Sequence, residues 1–380
     1  MKILISAIAI IVSLIVPARS QTADWGSAVV SSAMARNPNP DLLSWDYATA
    51  LYLIGQYRVY QRTRDPKLLA YLLTWADRHV DSAGNAYFFG PYSKPVVPER
   101  VLNFYLAGRL MLVLYDETGI AKYKLAADRL AASWPRLART SDRGFWIANP
   151  QRPDQIWLDG SYMILPFMIE YQARFALPSI GLEPARQLRI IASHLRNPAN
   201  GLLYHGYDEA GVQSWARNPA RRSSEFWLRG VGWYAMALVD VLDRLPLSST
   251  HRPALLGILN DLAAAMERYQ DPATGRWFQV VDKGSAPGNW LETSGSAMFA
   301  YTLSRGVRRG WLPARYQAVA DRGYQGVMAV TTIGSDGLTS IADICTGAVP
   351  TNLAGYFARP RAANDWHGLG AFLLMWTEFN

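Results

Sequence analysis

Apolar residues recur at helical spacing along almost the whole chain, and this pattern constrains the fold more than any other feature of the sequence. The spacing predicts helices over 41–62, 66–81, 99–117, 120–136, 155–175, 184–196, 227–245, 251–269, 291–308, 313–330 and 365–378, with a short one near 348–357. Helix-start signals precede five of them, at Asp41, Asp65-Pro66, Asp154, Pro184 and Asp365. Loops rich in glycine, proline and asparagine lie between the helices. Strand-like alternation is scarce, and 277–281 is the best short candidate.

These helices are too irregularly spaced for a tandem solenoid. Pairs of helices can instead close into a double ring, with one helix of each pair inside and one outside. Inner helices would be apolar on most faces, as 158–167 and 233–241 are. Loops at one end of the ring would converge on a central cavity, which is a natural ligand site. We therefore predict one all-α domain over 21–380, with an irregular helical bundle as the alternative.

The first twenty residues have the order of a secretory signal peptide. Lys2 precedes an apolar run over 3–16, and small residues follow before an expected cleavage after Ser20. The run is short for a membrane span, so an uncleaved anchor is the less favoured alternative. The sequence thus predicts a periplasmic or secreted protein without membrane contact after cleavage. The single cysteine, Cys345, excludes an internal disulfide and suits an exported enzyme that does not depend on one.

Composition and motifs exclude several classes of function. The net charge of +8 favours anionic partners, but no dense run of lysine and arginine indicates nucleic-acid binding. Neither a nucleophile elbow nor a phosphate-binding loop is present. The five histidines show no close metal-ligand spacing, so we expect neither a metal nor a cofactor. The 14 tryptophans and 20 tyrosines supply the flat faces from which sugar and base sites are built.

One carboxylate and one imidazole stand out because aromatic residues surround them. Asp159 lies within 155–163, an otherwise apolar and aromatic helix start. A buried carboxyl needs polar partners or a raised pKa, and a raised pKa suits a general acid. The plainer interpretation is a helix cap or a structural acceptor. His205 lies in a loop between aromatic residues, and a structural hydrogen-bonding role is its plainer alternative.

Arg229 stands between Trp227 and Trp233 and is followed at once by a Gly-x-Gly turn. The glycines let the backbone approach a ligand, and a guanidinium offers a bidentate contact to a carboxylate. The alternative is an arginine that only packs on indole rings. Together with the acid and the imidazole, this pattern indicates an aromatic cavity that holds an acid, an imidazole and an anion-binding arginine.

Six ordered blocks of sequence carry a resemblance to a known family. They are Trp45-Asp46-Tyr47, 155–163 with Pro166-Phe167, 202–206, 229–234, 292–298 and 364–368. The chain resembles the unsaturated rhamnogalacturonyl hydrolases of glycoside hydrolase family 105 and the related unsaturated glucuronyl hydrolases of family 88. The resemblance spans 45–379. It implies an (α/α)6 barrel of six inner and six outer helices, in agreement with the double ring inferred from helix count.

The resemblance also implies a substrate and a mechanism. Polysaccharide lyases leave a 4,5-unsaturated uronic acid at the non-reducing end of their products, and family members hydrate its double bond. An acid protonates C4, water adds at C5, and the resulting hemiketal opens and expels the rest of the oligosaccharide. Asp159 falls on the general acid/base position, and His205 and Arg229 fall on substrate-contacting positions. The aromatic residues expected around the unsaturated sugar are Tyr47, Trp157, Trp227 and Trp233.

Three positions depart from the family pattern. Asn103 replaces a second carboxylate in the catalytic set, and Glu99, one helical turn earlier, is a candidate to compensate for it. Ile147 stands where a histidine often follows Gly-Phe-Trp, and Val231 replaces the asparagine between the two glycines. These changes leave the preferred substrate and the level of activity open. The sequence does not fix the uronate type or the oligomeric state.

Two other functions compete with hydration of an unsaturated uronyl oligosaccharide. An inverting hydrolase of saturated glycosides needs two carboxyls about 6.5–9.5 Å apart. That reading requires Glu99, Glu225 or Glu292 to serve beside Asp159. A catalytically silent periplasmic sugar-binding protein would keep the aromatic cavity and need no acid.

Overall fold

The computed structural model describes residues 24–177 and 179–380. The predicted signal segment, 1–20, lies outside these ranges and stays a prediction. Thirteen α-helices are present in the described part of the chain: α1 Trp25–Arg36, α2 Tyr47–Thr63, α3 Pro66–His79, α4 Leu106–Thr118, α5 Ala121–Ala132, α6 Leu158–Arg174, α7 Leu182–Leu195, α8 Leu228–Arg244, α9 Arg252–Tyr269, α10 Thr293–Arg308, α11 Tyr316–Met328, α12 Leu353–Phe357 and α13 Trp366–Phe379. No helix among the described residues is both long and apolar enough to cross a bilayer.

The helices close into two concentric rings. Helices α2, α4, α6, α8, α10 and α13 pack in that order, and α13 returns to pack against α2. The outer ring is formed by α1, α3, α5, α7, α9 and α11, each of which packs on an inner neighbour. This confirms the predicted all-α (α/α)6 barrel of six inner and six outer helices.

The burial pattern explains which helices lie inside. In α8, every residue from Leu228 to Leu242 is buried, as expected for a helix with neighbours on all sides. The outer helix α3 instead buries one stripe, at Leu68, Leu72, Trp75 and His79. Helical spacing in the sequence separates these two patterns, which is why the ring could be predicted.

Helix boundaries differ from prediction where side chains or strand pairing decide them. Asp65 and Asp365 cap α3 and α13 as predicted. Helix α2 begins after Asp46 and not at Asp41, because the Asp46 carboxylate accepts hydrogen bonds from the amides of the first turn. The pattern does not predict α1, whose glycine, serine and alanine residues give little apolar contrast.

Ten short strands form five two-stranded antiparallel sheets in the described residues. They are β1 Tyr87–Phe89, β2 Ser93–Pro95, β3 Gln155–Trp157, β4 Gly206–Asp208, β5 Trp277–Phe278, β6 Leu291–Glu292, β7 Thr331–Ile333, β8 Thr339–Ile341, β9 Ile344–Cys345 and β10 Arg361–Ala362. Of the candidate strand 277–281, two residues form β5. Strands β3 and β6 end immediately before inner helices α6 and α10, so these sheets cluster where inner helices begin. That end of the barrel carries the candidate site.

Candidate active site

A cavity of about 390 Å³ opens at the end of the barrel where α2 and α6 begin. Its polar wall is formed by Tyr47, Asn103, Gln151, Arg152, Trp157 and Asp159. Val101, Ile147, Ala148 and residues 347–349 supply the rest. Among these lining residues, Asp159 is the single carboxylate and Arg152 the single cation. Four of the predicted site residues therefore meet on one surface: Tyr47, Asn103, Trp157 and Asp159.

Strand pairing brings Asp159 and His205 together although they are 46 residues apart. Strand β3 pairs with β4 so that Trp157 lies opposite Gly206. The Leu158 amide then donates to the His205 carbonyl at 3.0 Å, which fixes the start of α6 against the histidine loop. As a result, His205 Nε2 lies 2.9 Å from Asp159 Oδ2.

A buried hydrogen-bonded chain extends from Asp159 through His205 to Tyr356. The hydroxyl of Tyr356 lies 2.7 Å from His205 Nδ1, and the imidazole is fully buried. Burial raises the pKa of the Tyr356 phenol well above its ordinary value, so this group keeps its proton. The phenol can thus donate to Nδ1, and the imidazole then donates from Nε2 to Asp159 Oδ2. Asp159 Oδ1 accepts no hydrogen bond from the described residues and is available to the cavity.

A second hydrogen-bonded chain supports Tyr47 on the cavity wall. Tyr47, the first residue of α2, places its hydroxyl 2.8 Å from His367 Nε2, and His367 Nδ1 lies 2.5 Å from Asp365. Burial, aided by the charge of Arg229, lowers the pKa of His367, and burial raises that of Tyr47. Both groups therefore stay neutral around pH 7, and Tyr47 can donate to the imidazole. This chain fixes the orientation of the Tyr47 ring on the cavity wall.

The three predicted tryptophans lie at different depths. Trp157 lines the cavity, and its indole N–H donates to Gln155 at 3.0 Å. Trp227 lies beneath the His205 ring, with centroids 4.5 Å apart. Trp233 is fully buried and does not line the cavity. Sugar contact by Trp227 and Trp233 stays a prediction, and in this structure both support groups at the site from behind.

Arg229 also lies behind the cavity wall. Its guanidinium packs over Trp227 at 4.7 Å and donates to the carbonyls of Cys345 and Thr346. Only 1% of Arg229 is exposed. The side chain thus braces the segment that continues into the cavity-lining residues 347–349, and direct contact with an anion stays a prediction.

The prediction that Glu99 compensates for the missing second carboxylate is wrong. Val101 is extended and divides the predicted helix into 3-10 turns at Pro98–Arg100 and Leu102–Tyr105, ahead of α4. Glu99 and Asn103 consequently share no helix face, and Glu99 pairs instead with Arg136 at 3.3 Å, away from the cavity. Asn103 itself lines the cavity as an uncharged amide.

The two other candidate carboxylates do not line the cavity either. Glu292 is the N-cap of α10 and accepts hydrogen bonds from the Ser294, Gly295 and Cys345 amides. Glu225 is buried beside Ser224 and lies 4.0 Å from Lys283. Within the described ranges, the cavity therefore offers one acid and no second carboxylate.

Three residues of the site are not among those predicted from the sequence. His367 falls in one of the six family blocks, which is a usable signal for the chain that holds Tyr47. Tyr356 and Arg152 lie outside these blocks, in segments whose position only the folded chain reveals. Arg152 reaches the site from the residues before α6, and Tyr356 reaches it from the short helix α12.

A closed double ring of helices, with one acid among aromatic rings at its open end, is typical of (α/α)6-barrel enzymes that act on sugars. The family model described as Glycosyl Hydrolase Family 88 matches residues 25–380, and the chain belongs to this family.

Relatives agree with this assignment. A solved glycoside hydrolase of family 105 from C. acetobutylicum superposes with a TM-score of 0.87 at 33% identity, over 93% of this chain and 99% of that one. A 24.9 kDa protein in the picA locus of Rhizobium radiobacter is 34% identical over 57% of this chain and 97% of its own length. An unsaturated 3S-rhamnoglycuronyl hydrolase of Formosa agariphila is 28% identical over 40% of this chain and 38% of its own.

Proposed function

We propose that this glycoside hydrolase removes a 4,5-unsaturated uronic acid from the non-reducing end of oligosaccharides released by polysaccharide lyases, with rhamnogalacturonan-type products as the preferred class. The observation that carries the proposal is the single cavity carboxylate, Asp159, bound on one oxygen by His205. The curated name of the Formosa agariphila relative, an unsaturated 3S-rhamnoglycuronyl hydrolase, supports the unsaturated uronyl class.

The geometry suits addition of water to a double bond. Asp159 Oδ1 transfers its proton to C4, and charge develops at C5. The resulting carboxylate takes a proton from the water whose oxygen bonds to C5, which restores the acid. The C5 hemiketal then opens by breaking its bond to the ring oxygen. This leaves a ketone at C5 and a hemiacetal at C1, which releases the remaining oligosaccharide as an alcohol and becomes an aldehyde.

One carboxylate can serve both proton transfers because they occur in sequence. His205 Nε2–H holds Oδ2, so the other oxygen carries the proton at the cavity surface. Direct inverting hydrolysis needs a second carboxylate to activate water, and the cavity wall has an amide, Asn103, instead. Arg229 is proposed to support the wall behind the anionic end of the substrate, because it braces the segment that continues into the cavity-lining residues 347–349.

The site of action is part of the proposal. Lys2 and the apolar run 3–16 favour export, with cleavage after Ser20. The mature enzyme would then meet lyase products in the periplasm or outside the cell.

The test uses the ultraviolet absorbance of the conjugated enol acid, which disappears on hydration. A panel of lyase-generated disaccharides is incubated with wild type and with Asp159→Asn, which keeps the side-chain shape. General acid catalysis contributes about 10²–10⁴-fold, so the variant should lose at least that much activity. Undiminished loss of absorbance with Asp159→Asn would refute the assignment. Tight binding without turnover by the wild type would favour a sugar-binding protein. Turnover of saturated disaccharides would favour an inverting hydrolase.

A further inference from the structure

The cavity wall holds one cation that the proposed reaction has not used. Arg152 is half-buried and lines the cavity together with Asp159. The Cζ atom of its guanidinium lies over the Trp157 ring, 4.1 Å from the centroid. Within residues 24–177 and 179–380, its side chain makes no ion pair and donates no hydrogen bond to another residue.

The backbone holds Arg152 at a fixed place on the wall. The Arg152 amide donates to the Ala148 carbonyl at 3.0 Å, and the Ile147 amide donates to the Gln155 carbonyl at 2.8 Å. The Asn149 amide is bound in turn to the Arg100 carbonyl at 2.8 Å. The loop is thus closed on itself and attached to the segment before α4. Together with the stack on Trp157, these bonds restrict the orientations that the guanidinium can adopt.

A guanidinium held in this way has unused donors. Burial lowers the pKa of Arg152 from its ordinary value, and the charge of Asp159 opposes that shift. Arginine nonetheless stays protonated at any physiological pH. A planar cation with free N–H groups, held over an indole on the cavity wall, is suited to a carboxylate that it can bind with two parallel hydrogen bonds.

We propose that Arg152 binds the carboxylate of the substrate's uronic acid and makes the enzyme selective for the free acid. This inference rests on the proposed function, because it assigns the anion contact of the same site. The chemistry of the substrate requires such a neighbour. The carboxylate is bonded to C5, next to C4, so the group that holds it must share a cavity with the proton donor. Arg152 and Asp159 meet that requirement, and Arg229 does not line the cavity.

The experiment compares one unsaturated disaccharide as the free acid and as its methyl ester. Wild type should prefer the acid in kcat/KM. Arg152→Met should lose about 10- to 100-fold on the acid, as expected when a charge-assisted pair is removed, and little on the ester. Arg152→Lys keeps the charge without the planar fork and should fall between the two. A matched control is Arg222→Met, since Arg222 also lies over an aromatic ring, Tyr204, at 4.2 Å but does not line the cavity.

Equal losses on acid and ester for Arg152→Met would overturn the inference, because they would indicate a role in shaping the wall. If Arg152→Met kept the full kcat/KM of wild type on the acid, the inference would be overturned as well. Calorimetric binding of the same two disaccharides separates this inference from the proposed function. If wild type consumes neither compound but binds the acid through Arg152, the reaction is wrong and the anion contact stands. If wild type does not bind the acid, the anion contact is refuted.

Discussion

The hydrogen bond between Tyr356 and His205 predicts a large kinetic effect for a change that removes one oxygen atom. In Tyr356→Phe, His205 Nδ1 loses its 2.7 Å partner. The imidazole has no exposed surface, so water cannot readily replace that partner. Leaving a buried polar group unpaired costs about 1–3 kcal/mol. The proton of the imidazole is then no longer held on Nε2, and the contact with Asp159 weakens.

If the transition state loses this ~1–3 kcal/mol of stabilisation, kcat should fall roughly 5- to 150-fold. The assay is loss of enol-acid absorbance at saturating substrate, with thermal unfolding followed in parallel. Tyr234→Phe is a matched control, because the Tyr234 hydroxyl is also buried and donates to the Leu188 carbonyl at 2.8 Å, away from the site. Both variants should lose stability, and only Tyr356→Phe should lose kcat. An unchanged kcat for Tyr356→Phe would refute the role given to His205.

Three further predictions concern carboxylates outside the cavity. Glu99→Gln should leave kcat unchanged and alter the free energy of unfolding by less than about 1 kcal/mol, because Glu99 forms a surface pair with Arg136. A fall in kcat would show that Glu99 does belong to the active site. Glu292→Gln should destabilise the fold by about 1–3 kcal/mol in urea titrations, because a buried cap is weakened; unchanged stability would contradict this. Burial tends to raise the pKa of Glu170, but Arg109 at 2.6 Å outweighs burial and holds that pKa below its usual value. The stability from this pair is therefore present above the unfolded pKa of about 4.3 and lost as pH falls through the folded value. Urea titrations at decreasing pH should show a shallower decline for Glu170→Gln, and equal slopes would contradict it.

The architecture is accessible from the sequence because inner and outer helices differ in how many faces are apolar. The run from Leu228 to Leu242 is buried throughout, and α3 buries a single stripe. Boundaries are less accessible. Residues 155–157 have a composition that suits either the first turn of α6 or a strand, and pairing with β4, far along the chain, decides for the strand.

The candidate site can likewise be predicted from the sequence only in part. Asp159 stands out in the sequence because a lone acid lies among apolar and aromatic neighbours. Its approach to His205 depends on the β3–β4 register, and its link to Tyr356 depends on the position of α12. Glu99 shows the opposite case, since helical spacing predicts a shared face with Asn103 that the extended Val101 prevents. Local spacing cannot report contacts that tertiary pairing makes or breaks.

The claim that the enzyme hydrates a double bond can be measured directly with an unsaturated uronyl thioglycoside. Protonation at C4 and addition of water at C5 do not break the bond between C1 and sulfur, whereas direct displacement at C1 must break it. We expect wild type to remove the enol-acid absorbance of the thioglycoside at a rate comparable to that of the oxygen glycoside, and Asp159→Asn to leave the absorbance of both compounds in place. Consumption of the oxygen glycoside while the thioglycoside keeps its absorbance would contradict the account.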